Sequence, residues 1–174
     1  EKNNLNFDQA LRIATQKGYA EANPTNDIEG IDSAYKITLL ASLCYGVKIN
    51  HNYSFFSGLN NFDKEDIKHS KKLGYKIKLI SETCLIEDKI FINTSPKLID
   101  INNPLAHVKG VLNAIKIETD HLKSLFIEGE GAGGSATASS VISDLYEISK
   151  GSNQKSIGYL SSHLKEVDSY QREN

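Results

Sequence analysis

The chain has no methionine among its 174 residues, and only two cysteines. A chain that starts at Glu1 with no methionine does not read as a complete translation product, so a preceding segment is expected. Cys44 and Cys84 lie in largely apolar contexts without CxxC spacing, which reads as buried thiols in a reducing compartment; nothing demands a disulfide between them. The five histidines form neither HExxH nor any Cys/His pairing, so no metal is expected. No apolar run approaches the roughly 20 residues needed to span a bilayer, and no signal peptide is visible. A net charge of −2 gives no general pull towards nucleic acid or an anionic membrane. With 39% apolar and 24% charged residues, the composition is ordinary for a soluble globular protein, and the chain is long enough for one domain with a real core; a cytoplasmic location is expected.

What is present centres on residues 18–36. The first half is polar, and its Asn23-Pro24 and Asn26-Asp27 steps resist helix. The second half opens a helix that turns apolar from Ile37 to Cys44. Asp32 and Lys36 are four apart and share one helix face. Glu21 precedes the proline loop, which could fold it back towards that face. Two carboxylates and an ammonium at the mouth of a buried helix could grip a zwitterionic small molecule and move a proton. Each residue also has a plainer reading. Asp32 and Lys36 make an ordinary surface ion pair worth about 0.3 kcal/mol, and Glu21 a solvated loop carboxylate. The apolar run after Lys36 raises the functional reading, because a lysine entering a buried segment needs a partner or a role.

Around this stretch, Asn6 reads as the N-cap of a helix over 7–17, closed by Gly18. A second helix spans 31–45 and stops at Gly46. Val47 to Ile49 begins a short strand, and 50–61 reads as a loop from its Ser-Gly and Asn-Asn steps. Asp63 opens a short helix to about Leu73, closed by Gly74. The strand Tyr75–Ile80 alternates, so Lys76 and Lys78 should face water and their basic patch carries little nucleic-acid meaning. Leu85–Ile92 reads as a hairpin arm or two short strands. Ser95–Ile99 leads into Asn103-Pro104, with Asn103 read as turn chemistry and Asn113 as a strand-edge hydrogen bonder. Residues 110–117 and 122–128 should pair antiparallel around Thr119-Asp120-His121.

Gly129, Gly131 and Gly134 make a literal G-x-G-x-x-G between a strand and a helix. Too little chain follows to build a dinucleotide-binding βαβαβ unit, and the stretch from Gly151 is polar and serine-rich. The loop is better read as closing its own domain, with a small-residue helix over 136–150 that packs closely against something. The amides at its start could still approach a phosphate or a nicotinamide ribose. Equally, the glycines could serve only packing and a turn. Residues 151–174 read as a linker with one weak helix.

The string G-Y-A-E-A-N-P-T-N-D-I-E-G-I-D-S-A-Y-K resembles the signature of homoserine dehydrogenases, an acidic loop E-x-D-P-x-x-D followed by G-x-D-x-x-x-K. Asn23 stands where that family usually has Asp. The blocks D-I-x-x-S-x-x-L-G-Y-K-I-K-L-I, P-x-L-I, N-P-L-A-x-V-x-G-V-x-N-A-I and G-x-G-A-G-x-x-x-T-A are similar to the same family, in the same order. The resemblance implies an α+β fold with helices on one face of a mixed, largely antiparallel sheet that pairs subunits into a homodimer. Residues 1–150 would be the catalytic and dimerisation domain, without its nucleotide-binding domain, and 151–174 a tail. It further implies NAD- or NADP-dependent interconversion of L-homoserine and L-aspartate 4-semialdehyde. Glu21, Asp27 and Asp32 would bind substrate, and Lys36 with Asp32 would carry the catalysis. Gly133, with Gly131 and Thr137, would approach the cofactor. This chain alone should be inactive. Two other readings stay open: a pairing or ligand-sensing module without chemistry, and a dehydrogenase for a different semialdehyde.

Overall fold

The computed structural model describes residues 7–19, 23–50, 55–59, 62–87, 89–151 and 165–170. Within them the chain forms two compact units. The first takes 1–23, 63–77 and 98–152; the second takes 24–62, 78–97 and 153–174.

The second unit is built on helix α3, Ile31–Tyr45, which follows α1 (Phe7–Gln16) in the chain and the single turn α2 (Thr25–Ile28). That turn corrects the reading of a helix-resisting loop: Pro24 stands just before it, at the N-cap, where a missing amide costs no helical bond. Its buried residues are Ala34, Ile37, Thr38, Ala41 and Ser42, at spacings of three and four that define one face. Gly46 ends it in the left-handed conformation at φ 62°, the favoured way to stop an α-helix. The run from Ile37 to Cys44 is therefore buried along one face only. Leu39 and Leu43 are exposed, and so is Cys44, which corrects the reading of a buried thiol. Cys84 is also exposed, and both thiols are free. Apolar flanks misled in both cases: a one-sided helix turns part of every turn outward, and a strand turns alternate residues outward.

Against α3 lies a mixed five-stranded sheet. Strands β1 (Lys48–Asn50) and β2 (Phe55–Phe56) are short, and β2 sits inside the stretch read as a loop. Strands β3 (Tyr75–Ile86) and β4 (Lys89–Asp100) are each 12 residues long. Only Glu87 and Asp88 join them, so they run antiparallel. Glu87 takes the left-handed conformation at φ 47° that so tight a turn requires. The fragments read separately as Tyr75–Ile80, Leu85–Ile92 and Ser95–Ile99 are thus one long hairpin. On the remaining edge of β4, β2 pairs parallel at Asn93 and Thr94, and β7 (Glu166–Tyr170) pairs parallel at Ile90 and Phe91. Strand β7 also pairs parallel with β1. The stretch read as linker therefore contains a strand whose Val167 packs on the core, while Ile157, Leu160 and Leu164 of the expected weak helix lie outside the described residues.

The core of this unit is Ile37, Ala41, Ile49, Ile90 and Ile92, with Leu40, Tyr45, Val47 and Val167 packed against it. Burial pushes the Tyr45 phenol above its ordinary value of 10.0, partly offset by a side-chain hydrogen bond with Thr83. The folded chain holds that proton more tightly than the unfolded one. Its contribution is therefore complete below pH 10.0 and is lost as pH rises through the raised value. Tyr45→Phe should flatten this part of the alkaline fall in Tm; an unchanged slope would contradict it.

The first unit holds α1, α4 (Lys64–Lys72), a 3-10 turn at Pro104–His107, strands β5 (Leu112–Thr119) and β6 (Lys123–Glu130), and α5 (Gly134–Ser149). Asp63 caps α4 by accepting from the amides of Glu65 and Asp66, and Asp66 returns the bond to the Asp63 amide. This reciprocal pair satisfies the free donors of the first turn. Asn103 caps the 3-10 turn through the Leu105 amide at 3.0 Å, as read from sequence. Lys76 does not simply face water. It is half-buried and donates to the Ala106 carbonyl at 2.8 Å, because the 3-10 turn brings that carbonyl to it.

Strands β5 and β6 pair antiparallel as expected. Ile115 stands opposite Ile127 and Ile117 opposite Leu125, so these four share one face of the hairpin. All four are exposed among the described residues. The α5 helix likewise presents Val141, Ile142, Leu145 and Ile148 to solvent. The long ladders are antiparallel and the parallel ones short, so the α+β class and the mixed sheet are as expected.

Candidate functional site

The site is built at the corner where α2 gives way to α3. Gly30 makes that corner with φ 80°, a conformation that costs a side-chain-bearing residue roughly 1 kcal/mol or more. A Cβ on Gly30 would stand 3.3 Å from the Ser57 carbonyl oxygen and 3.4 Å from the Thr94 methyl. The 57–59 segment clamps the corner from outside. The Leu59 amide donates to the Ile28 carbonyl at 2.9 Å, and a Cβ on Gly58 would fall 2.2 Å from that same oxygen. Sheet hydroxyls hold the corner from beneath. Ser81 Oγ lies 2.8 Å from Thr94 Oγ1 and donates to the Ser33 carbonyl at 3.3 Å.

The first turns of α3 carry Asp32 and Lys36 on this support. Lys36 Nζ lies 2.6 Å from Asp32 Oδ2, the i,i+4 ion pair expected from their spacing. Their side chains are 63% and 41% exposed. A pair so exposed contributes only about 0.5 kcal/mol to the helix, so it explains little of the fold. What the arrangement provides is an ammonium with open access, oriented by one carboxylate, on a helix start that glycines and hydroxyls fix in place. Such a group can donate a proton and stabilise a developing alkoxide.

The remaining residues expected at the site fall as follows. Asp27 is exposed on α2. Glu21 lies outside the described residues. Gly131, Gly133 and Thr137 belong to the other unit. Gly133 precedes α5 with φ 115°, and a Cβ there would meet no atom within 4 Å, so its surroundings have room for an approaching group. Thr137 is exposed on the first turn, its amide bonded to the Gly133 carbonyl. Gly131 is different: a Cβ there would land 1.3 Å from Asn113 Nδ2, so its glycine already has a packing reason.

Sequence reasoning missed Gly58, Ser81 and Thr94. Ser57-Gly58 was visible only as a loop signal, and a serine or threonine on an alternating strand carries no sign of which face it meets. The opposite face of the β3–β4 hairpin holds a second polar group that sequence did not single out: Lys97 pairs with Glu82, and Asn93 bonds Glu82 and Ser95.

Helices combined with sheets of parallel and antiparallel strands define the class as an α+β protein, here with an exposed lysine–carboxylate pair at a clamped helix start. The particular family follows from comparison with known proteins. Residues 1–146 match the family model described as homoserine dehydrogenase, and the chain belongs to that family. A homoserine dehydrogenase from Lactococcus lactis is 38% identical over 87% of this chain and 36% of its own length. The structure of a homoserine dehydrogenase from Thiobacillus denitrificans superposes with a TM-score of 0.81 at 30% identity, covering 96% of this chain and 41% of that one. A hyperthermophilic archaeal homoserine dehydrogenase mutant in complex with NADPH gives a TM-score of 0.61 at 29% identity, over 83% of this chain and 40% of that one. The chain thus spans about a third of the length of the curated relatives it matches, 36% in the first case. Among the described residues, no helix is long and apolar enough to cross a membrane.

Proposed function

We propose that this chain is the catalytic and subunit-pairing part of a cytoplasmic homoserine dehydrogenase. Residues 1–150 make up most of that domain, and 151–174, expected as a tail, add to it the strand β7 that joins its sheet. The enzyme interconverts L-homoserine and L-aspartate 4-semialdehyde, a step in threonine, methionine and isoleucine biosynthesis. The accessible Lys36–Asp32 pair, in a chain of this family, is the observation that carries the reading. In the reducing direction Lys36 gives a proton to the aldehyde oxygen as the carbonyl carbon accepts a hydride. Its charge stabilises the alkoxide as that forms. Asp32 orients the ammonium and, with Glu21 and Asp27, holds the amino group and polar end of the substrate. NADP or NAD supplies or accepts the hydride. The space around Gly133 suits its approach, with Thr137 beside it and Gly131 shaping the loop. Most of the nucleotide would be held by residues beyond this chain. The exposed Ile115, Ile117, Leu125 and Ile127 face supports pairing of two copies through the sheet.

The test is made on the full-length protein. L-homoserine and other amino alcohols are offered with each nucleotide, and the mass is measured by light scattering. Turnover selective for homoserine and a dimeric mass are expected. A dimer inert towards every substrate would replace this reading with that of a pairing or sensing module. Selective turnover of another amino alcohol would assign a different semialdehyde.

A further inference from the structure

We infer that Ser81 and Thr94 are positioning residues for the reaction, forming a two-link hydrogen-bond chain that sets where α3 presents Asp32 and Lys36. This rests on the proposed role of Lys36. Thr94 is fully buried, and its hydroxyl lies 2.8 Å from Ser81 Oγ. The Ser81 hydroxyl has one hydrogen, and it goes to the Ser33 carbonyl at 3.3 Å. Thr94 must therefore be the donor to Ser81. The direction of the chain is fixed: Thr94 to Ser81 to the Ser33 carbonyl.

That carbonyl lies in the turn between Asp32 and Lys36. It already accepts the Ile37 amide as any α-helical carbonyl does, and Ser81 occupies its second lone pair. The Thr94 methyl is used as well, standing 3.4 Å from where a Cβ of Gly30 would be. One buried side chain thus packs against the helix corner with its methyl and begins the hydrogen-bond chain with its hydroxyl. Among the described residues, the Ser81 and Thr94 hydroxyls bond the Ser33 carbonyl and each other, not Asp32 or Lys36. Their action is on the backbone that carries both heads. A shift of 1 Å in a proton donor can cost about a hundredfold in rate, so even partial loosening is measurable.

The experiment uses the full-length protein and the variants Ser81→Ala, Thr94→Val, the double variant and Ser81→Thr. We expect kcat for homoserine oxidation to fall about tenfold in each single variant, with KM for the nucleotide unchanged. The double variant should be no worse than the poorer single one, because the two hydroxyls act in series. Ser81→Thr keeps the hydroxyl and should restore kcat. A purely structural role would lower Tm while leaving kcat per folded enzyme untouched, and that outcome overturns the inference. Lys36→Ala run alongside separates the two levels. If Lys36→Ala is inactive while Ser81→Ala and Thr94→Val turn over normally, only the positioning chain is wrong. If Lys36→Ala itself turns over normally, the proposed reaction role falls and this chain with it.

Discussion

Lys36→Ala in the full-length protein should lower kcat for homoserine oxidation by about 10² to 10⁴, the range associated with a positioned proton-transfer group. Nucleotide affinity, read by fluorescence quenching, should stay within about twofold of wild type, since the proposal puts no nucleotide contact on this side chain. The fold should survive, because the side chain is 63% exposed and its ion pair adds only about 0.5 kcal/mol. A stable, nucleotide-binding, inactive protein is therefore the expected product. Lys36→Arg keeps the charge but gives up the ammonium's ability to release a proton, and should recover only a small part of the rate. Turnover within a few-fold of wild type in Lys36→Ala would remove the lysine from the chemistry.

The second large effect is on stability. Gly58→Ala should destabilise by about 3 kcal/mol, the upper end of the usual range for overpacking. The added Cβ would stand 2.2 Å from the Ile28 carbonyl oxygen and 2.5 Å from the Glu29 Cα, both backbone atoms of the α2–α3 corner. Neither can turn aside as a side-chain tip can. Relief requires the corner to move, and the start of α3 with it. Thermal unfolding should show Tm lowered by roughly 6–12 °C. Gly129→Ala serves as the control, because a Cβ there meets nothing within 4 Å and the backbone needs no positive φ. Equal losses in the two variants would mean that the close approach at Gly58 does not matter.

Local chemistry made much of this chain legible. Gly46 and Gly74 end their helices as read, Asp63 opens α4, Asn103 caps its turn, and β5 pairs with β6 around the expected loop. These are interactions between near neighbours, so a window of a few residues contains their cause. The Asp32–Lys36 pair was legible for the same reason, since helical spacing alone brings them together. Burial was less legible. Cys44 and Cys84 looked interior by their neighbours but face outward, and Lys76 looked exposed but bonds a carbonyl 30 residues away.

By itself, then, the order of residues determined the helices α1, α3, α4 and α5, the caps at Asp63 and Asn103, the β5–β6 hairpin, the lysine–aspartate pair and the family to which they belong. Tertiary structure alone decided that β7 joins the sheet between β1 and β4, that Gly58 closes on the Ile28 carbonyl, and that Thr94 and Ser81 lie beneath Ser33. Those contacts join segments far apart in sequence. Their energy depends on which face of each element turns inward, and no short stretch of sequence carries that information.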